Sequence, residues 1–190
     1  MTERPQAVVI GASAGAVQAL LKVLPALPAT YPIPILVVVH VPSDRDNALV
    51  GLFADKCLLK VKEAEEKEPA LGGTIYFAPS DYHLLVEQDG TLSLSSDEPV
   101  HHSRPAIDVL FQSAADAWGE ALAGIILTGA NHDGAAGLRA IVEAGGAAIV
   151  EDPASAEMPA MPLAALASCP GAKRLGLESI HSYLLELVEK

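Results

Sequence analysis

Ala7-Val8-Val9-Ile10-Gly11-Ala12-Ser13-Ala14-Gly15-Ala16 is the stretch from which the fold can be read. Its first four residues form a continuous apolar run, as expected of a strand buried on both faces. Small residues follow, and Gly11-Ala12-Ser13-Ala14-Gly15 fits the pattern G-x-S-x-G. From Ala16 to about Leu27 apolar residues recur at helical spacing, with Val17, Leu20, Leu21 and Leu24 on one stripe. The predicted order is strand, tight turn carrying a serine, helix. A sharp turn of this kind lifts a hydroxyl above the sheet and needs small neighbours around it. The helix N-terminus behind it offers unpaired N–H groups and partial positive charge, which suit a developing oxyanion.

Working outward, Pro25, Pro28, Pro32 and Pro34 end the helix, and Ile35 to Val39 is a second continuous apolar run ending at His40. Asn47 to Cys57 reads as a helix, and the charged run Glu63 to Glu68 as a solvated turn or edge. The segment Thr74-Ile75-Tyr76-Phe77 follows Gly72-Gly73. Asp89-Gly90 then separates Leu84–Glu87 from Thr91–Ser95, a hairpin signal. Alternation resumes with a helix over Ala106–Trp118, a strand over Leu122–Leu127, a helix over Ala135–Ala144 and a strand over Ala147–Val150. A loop over Pro153–Pro162, a short helix over Leu163–Ala167 and a last helix from about Glu178 to Val188 complete the chain. The expected fold is α/β: a doubly wound, mostly parallel sheet flanked by helices, with an inserted antiparallel hairpin. Residues 1–190 read as a single domain, without repeat or linker.

Composition narrows the function. The chain is 51% hydrophobic but only 4% aromatic, so its core is aliphatic. A net charge of −12 argues against a nucleic-acid partner, which requires a basic face. Cys57 and Cys169 are expected to be free thiols in a reducing compartment. There is no apolar run of about 18 residues, and the first residues lack the apolar region of a signal peptide. The expected location is cytoplasmic, without membrane insertion.

Three predicted strands end in groups that do chemistry: Ser13, His40 and the loop holding Asp133. In a doubly wound sheet the ligand crevice lies beyond those carboxyl ends. Serine, histidine and aspartate are the parts of a triad, namely nucleophile, general base and orienting carboxylate. Each has a plainer reading alone: a turn serine, a sheet-edge histidine, and a helix N-cap before Gly134-Ala135-Ala136. Their shared position on separate strands favours the triad. A dinucleotide site fits less well, because serine replaces the second fingerprint glycine and His40 stands where an acidic residue would hold the ribose. No metal site is expected: His101, His102 and His132 read as exposed loop histidines, and neither H-E-x-x-H nor a cysteine pair is present.

With these residues assembled, nearly the whole chain resembles the catalytic domain of the CheB-type chemotaxis protein-glutamate methylesterases. The resemblance is carried by Val9–Gly15, by Val39-His40-Val41-Pro42, by Phe77–Leu84 and by Arg104–Phe111. It continues through Leu127-Thr128-Gly129 and Asp133–Gly137, then Ala154–Glu157 with Met161-Pro162. The resemblance implies Ser13 as nucleophile, His40 as base and Asp133 as orienting acid. Main-chain N–H groups near Ala14 and Ala130 are the oxyanion candidates. It further implies hydrolysis of glutamate γ-methyl esters on chemoreceptor helices, release of methanol, possible glutamine deamidation, and no metal or organic cofactor. Arg45 and Arg104 are candidate basic groups near the cleft.

The chain departs from the family pattern at several positions: Ala16 for a glycine, Val39 for a glutamine, Ser103 for a histidine, Ala130 beside the oxyanion position and His132 before Asp133. No receiver-like phosphoacceptor module is seen, so the expected alternatives are a constitutive enzyme, control by a separate chemosensory regulator, or a domain cut from a longer protein. A methylesterase-like scaffold without turnover is the alternative reading.

Overall fold

The computed structural model describes residues 5–40 and 48–189. Among these described residues, nine strands and six α-helices follow in chain order. The first half holds β1 (Ala7–Ala12), α1 (Ala16–Val23), β2 (Ile35–Val39), α2 (Ala48–Lys56), β3 (Lys60–Glu63), β4 (Thr74–Phe77), β5 (His83–Val86) and β6 (Leu92–Ser95). The second holds α3 (Ile107–Trp118), β7 (Leu122–Ile126), α4 (Ala135–Glu143), β8 (Ala147–Glu151), α5 (Ala160–Ser168), β9 (Lys173–Leu175) and α6 (Leu177–Glu186). Seven strands form one sheet in the order β3-β4-β2-β1-β7-β8-β9. Every pairing within it is parallel. The other two, β5 and β6, form the separate antiparallel hairpin across Asp89-Gly90.

Strand alternation divides the core. Val8, Ile10 and Ala12 of β1, with Ile35, Val37 and Val39 of β2, pack into a cluster with residues of α1, α2 and α6. Ala7, Val9, Leu36 and Val38 point the other way, toward α3, α4, α5 and the hairpin. Both faces are therefore covered, which is why these strands read as unbroken apolar runs. The outer strands differ: β3 is Lys-Val-Lys-Glu and β9 is Lys-Arg-Leu.

Several element boundaries differ from expectation. Helix α1 stops at Val23, with Leu24 as its C-cap, because Pro25 cannot continue it. Helix α5 starts at Ala160 rather than Leu163 and holds Pro162 in its first turn, where no amide donor is required. Strand β9 was not expected, since two of its three residues are charged. The expected helix start at Asn47 lies outside the described residues, as do Val41, Pro42 and Arg45. Both cysteines are free.

The strand order reverses between β1 and β7, so the switch-point crevice opens where β1, β2 and β7 end. Gly11 permits a close approach there: a Cβ on it would lie within the Ile107 side chain. The N-terminus of α3 consequently rests directly on β1. Replacing Gly11 by Ala should cost about 1–3 kcal/mol by overpacking. Urea unfolding would measure it, and an unchanged midpoint would mean that Ile107 repacks freely.

Candidate active site

Sheet register brings the nucleophile and base candidates together. Ala12 pairs with Val39, so Ser13 and His40 are the next residues on adjacent parallel strands. The His40 N–H donates to the Ala12 carbonyl at 3.3 Å, and the Ser13 N–H donates to the Thr128 carbonyl after β7 at 3.0 Å. Ser13 is thus held between its two neighbouring strands. Its turn closes with the Ala16 N–H on the Ser13 carbonyl at 3.0 Å, and Gly15 takes φ +84°. A side chain at Gly15 would be strained by that φ and would meet the Glu157 carboxylate.

Asp133 has no exposed surface, and it does not cap α4 with its side chain: Gly134 is the N-cap, at φ +97°. Its Oδ2 accepts His40 Nε2–H at 2.7 Å and the Ile107 N–H at 2.6 Å. Its Oδ1 accepts the Asp108 N–H at 2.9 Å. Burial pushes the Asp133 pKa up, but the His40 bond and the Asp108 and Ile107 N–H groups outweigh it and hold the carboxyl below its usual range. The first turn of α3, seated on Gly11, therefore carries the acid.

Ser13 and His40 line one cleft of about 260 Å³ together with Val39, Leu49 and Glu157. Thr128 ties its walls together. The Thr128 hydroxyl donates to the Ala14 carbonyl at 2.9 Å and accepts the Met158 N–H at 2.8 Å. The Thr128 N–H donates to the buried Glu151 carboxylate at 2.7 Å, and burial raises the pKa of that carboxyl. Among the described residues, the N–H groups of Ala14 and Ala130 meet no acceptor.

Four residues near the site were not singled out from sequence. Asn131 contacts His40 directly, its Nδ2 lying 3.2 Å from His40 Nδ1. Glu157 belongs to a quoted motif, but nothing in the sequence placed its carboxylate over Gly15. Glu151 reads as the end of a strand. Asp108 is buried, and its Oδ1 accepts the N–H groups of Gly134 and Gly137 at 3.0 and 2.7 Å. Burial raises its pKa, the Gly137 bond opposes this, and the charge of Asp133 adds to the rise.

Two loop residues have partners that the sequence does not show. His101 is exposed, as expected, but its Nε2 pairs with Asp108 Oδ2 at 3.0 Å, and its ring meets that of His132 edge-on. Arg104 is not a free cation at the cleft: its guanidinium holds the Asp81 carboxylate at 2.7 Å and the Ser96 and Asp97 carbonyls.

His101, Asp108 and Asp133 bring one possible ligand atom each within 4.8 Å of one another. The carboxylate oxygens already face backbone or imidazole donors, as given above. A cation between them would sit against those N–H groups, so the arrangement does not fit a metal centre.

A parallel doubly wound sheet whose strands β1, β2 and β7 lead to Ser13, His40 and the loop holding Asp133 defines an α/β protein with its candidate site at the switch point. The CheB methylesterase family model matches residues 8–184. The chain belongs to the CheB methylesterase family. A Leptospira interrogans (serovar copenhageni) protein, provisionally named a protein-glutamate methylesterase/protein-glutamine glutaminase, is 45% identical over 96% of this chain and 94% of its own length. A Rhodospirillum rubrum protein-glutamate methylesterase/protein-glutamine glutaminase is 37% identical over 99% of this chain, but only 50% of its own length is covered. The crystal structure of the Thermotoga maritima CheB methylesterase catalytic domain superposes with a TM-score of 0.92 at 33% identity, covering 97% of this chain and 99% of that one. Among the described residues no helix is long and apolar enough to cross a membrane.

The Asp133 environment gives a pH-dependent prediction. A carboxyl whose folded pKa lies below its unfolded value stabilises the fold above the ordinary aspartate pKa of about 3.9. That contribution is lost as pH falls through the lower folded value. Asp133→Asn should therefore be less stable than wild type at pH 7, by a margin that narrows on acidification below about pH 4. Urea titrations at both pH values test this, and a constant margin would assign the cost to packing alone.

Proposed function

We propose that this chain is a serine hydrolase that removes methyl groups from glutamate γ-methyl esters on chemoreceptor cytoplasmic helices, releasing methanol, with glutamine deamidation as a related activity. The observation that carries this reading is the convergence of Ser13, His40 and Asp133 at the switch point of a CheB-family domain. Cytoplasmic location and control by a separate chemosensory partner belong to the same proposal, and no cofactor is needed for it.

The chemistry follows from the geometry. His40 donates Nε2–H to Asp133, which leaves Nδ1 as the basic nitrogen. As Ser13 Oγ attacks the ester carbonyl, its proton passes to His40 Nδ1 and the carbonyl π electrons move to oxygen. The Ala14 and Ala130 N–H groups receive that oxyanion; each such donor is worth on the order of 3 kcal/mol of barrier. The intermediate collapses, the C–O bond to methoxide breaks, and His40 Nδ1–H protonates the leaving oxygen to give methanol. Water, giving its proton to His40, then hydrolyses the acyl-enzyme and restores Ser13. Asp133 keeps the ring oriented and stabilises the transient imidazolium. Glutamine follows the same path with ammonia as leaving group.

Methanol release from methylated receptor fragments tests the proposal. Wild type should release it, and Ser13→Ala should lose several orders of magnitude in rate. Persistent release by Ser13→Ala would move the nucleophile elsewhere. No release by a folded wild type, alone or with its chemosensory partners, would favour the scaffold reading.

A further inference from the structure

Asn131 sits in a closed ring of hydrogen bonds with the His40 side chain and with the main chain and side chain of Asp133. Its Oδ1 accepts the Asp133 N–H at 3.0 Å. That bond fixes which end of the amide faces His40, because an N–H can point only at the oxygen. The other end, Nδ2–H, is thereby aimed at His40 Nδ1, at 3.2 Å. The opposite ring nitrogen gives its proton to Asp133 at 2.7 Å. Asp133 and Asn131 thus hold the imidazole by both nitrogens, one accepting and one donating.

We infer that Asn131 is a positioning residue for His40: its amide N–H holds the ring in the tautomer whose Nδ1 is unprotonated. Asp133 bonds only one of the two ring nitrogens. Asn131 supplies the second point and only tolerates a ring whose Nδ1 carries a lone pair. The one lone pair of Nδ1 cannot accept from Asn131 and from Ser13 together, so the amide lets go as the Ser13 hydroxyl donates its proton; when methanol takes the proton, the grip returns. The contact is a resting-state clamp on the base, renewed in every turnover. This inference rests on the reading of Ser13, His40 and Asp133 given above.

Two substitutions separate the clamp from a simple turn role. Asn131→Asp keeps an oxygen for the Asp133 N–H but offers no donor to His40 Nδ1. Asn131→Ala removes both. Both should lose about tenfold to a hundredfold in kcat for methanol release, with KM nearly unchanged. The aspartate variant should do no better than alanine. In 15N spectra, with the His40 signals identified by their loss in His40→Gln, wild type should show a proton on Nε2 only. Asn131→Asp should show one on Nδ1 as well. Wild-type kcat and ring signals in Asn131→Asp would overturn the inference, leaving Asn131 as a turn residue. Should Asn131→Ala fail to fold, the aspartate variant decides alone. Release that persists in Ser13→Ala would instead bring down the nucleophile assignment, so the two failures remain distinguishable.

Discussion

A carboxylate without solvent must find a hydrogen-bond donor for each of its oxygens, and Asp133 finds them in three places. Two are the first main-chain N–H groups of α3, and the third is the His40 ring. That requirement couples distant parts of the chain. The helix can reach the carboxylate because Gly11, in β1 two residues before Ser13, has no side chain. One small residue in the strand thus lets α3 support Asp133. Asp108, whose own N–H binds Asp133, sends its side chain back to the start of α4 and fixes the loop from the other side.

Much of this was legible before any coordinates. β1, β2, β7 and β8 announce themselves as apolar runs because parallel strands covered on both faces have no reason to alternate. Once strands are located, their carboxyl ends follow, and Ser13, His40 and Asp133 occupy three of them. The hairpin was equally plain at Asp89-Gly90. What escaped notice has a common cause. β9 is only three residues long and mostly charged, so no apolar signal exists to find. The start of α5 is masked by Pro162, which a first turn accepts but a pattern search treats as a stop. Asp108, Glu151 and the contact of Asn131 with His40 are facts of three-dimensional juxtaposition. A sequence shows acidic and amide residues but not which of them lose water on folding.

The histidines and arginines illustrate the same limit. His101 reads as an exposed loop histidine and is one, yet its ring is also paired to the buried Asp108 carboxylate. Arg104 reads as a basic group near the cleft, and its guanidinium is committed to Asp81 and to two carbonyls near the hairpin. Polar groups in loops are commonly engaged in holding the loop itself, and the partner is invisible until the backbone is traced.

The composition of the two outermost strands bears on crowding in solution. An open sheet always ends in two rows of unmatched amide and carbonyl groups, which invite further strands from other molecules. Here both rows belong to short segments: Lys-Val-Lys-Glu on one side and Lys-Arg-Leu on the other. A second chain arriving edge-on would have to bury lysine and arginine to extend the ladder. The apolar sequence that makes the sheet cohesive is confined to its middle, and its margins are inhospitable to fibre growth.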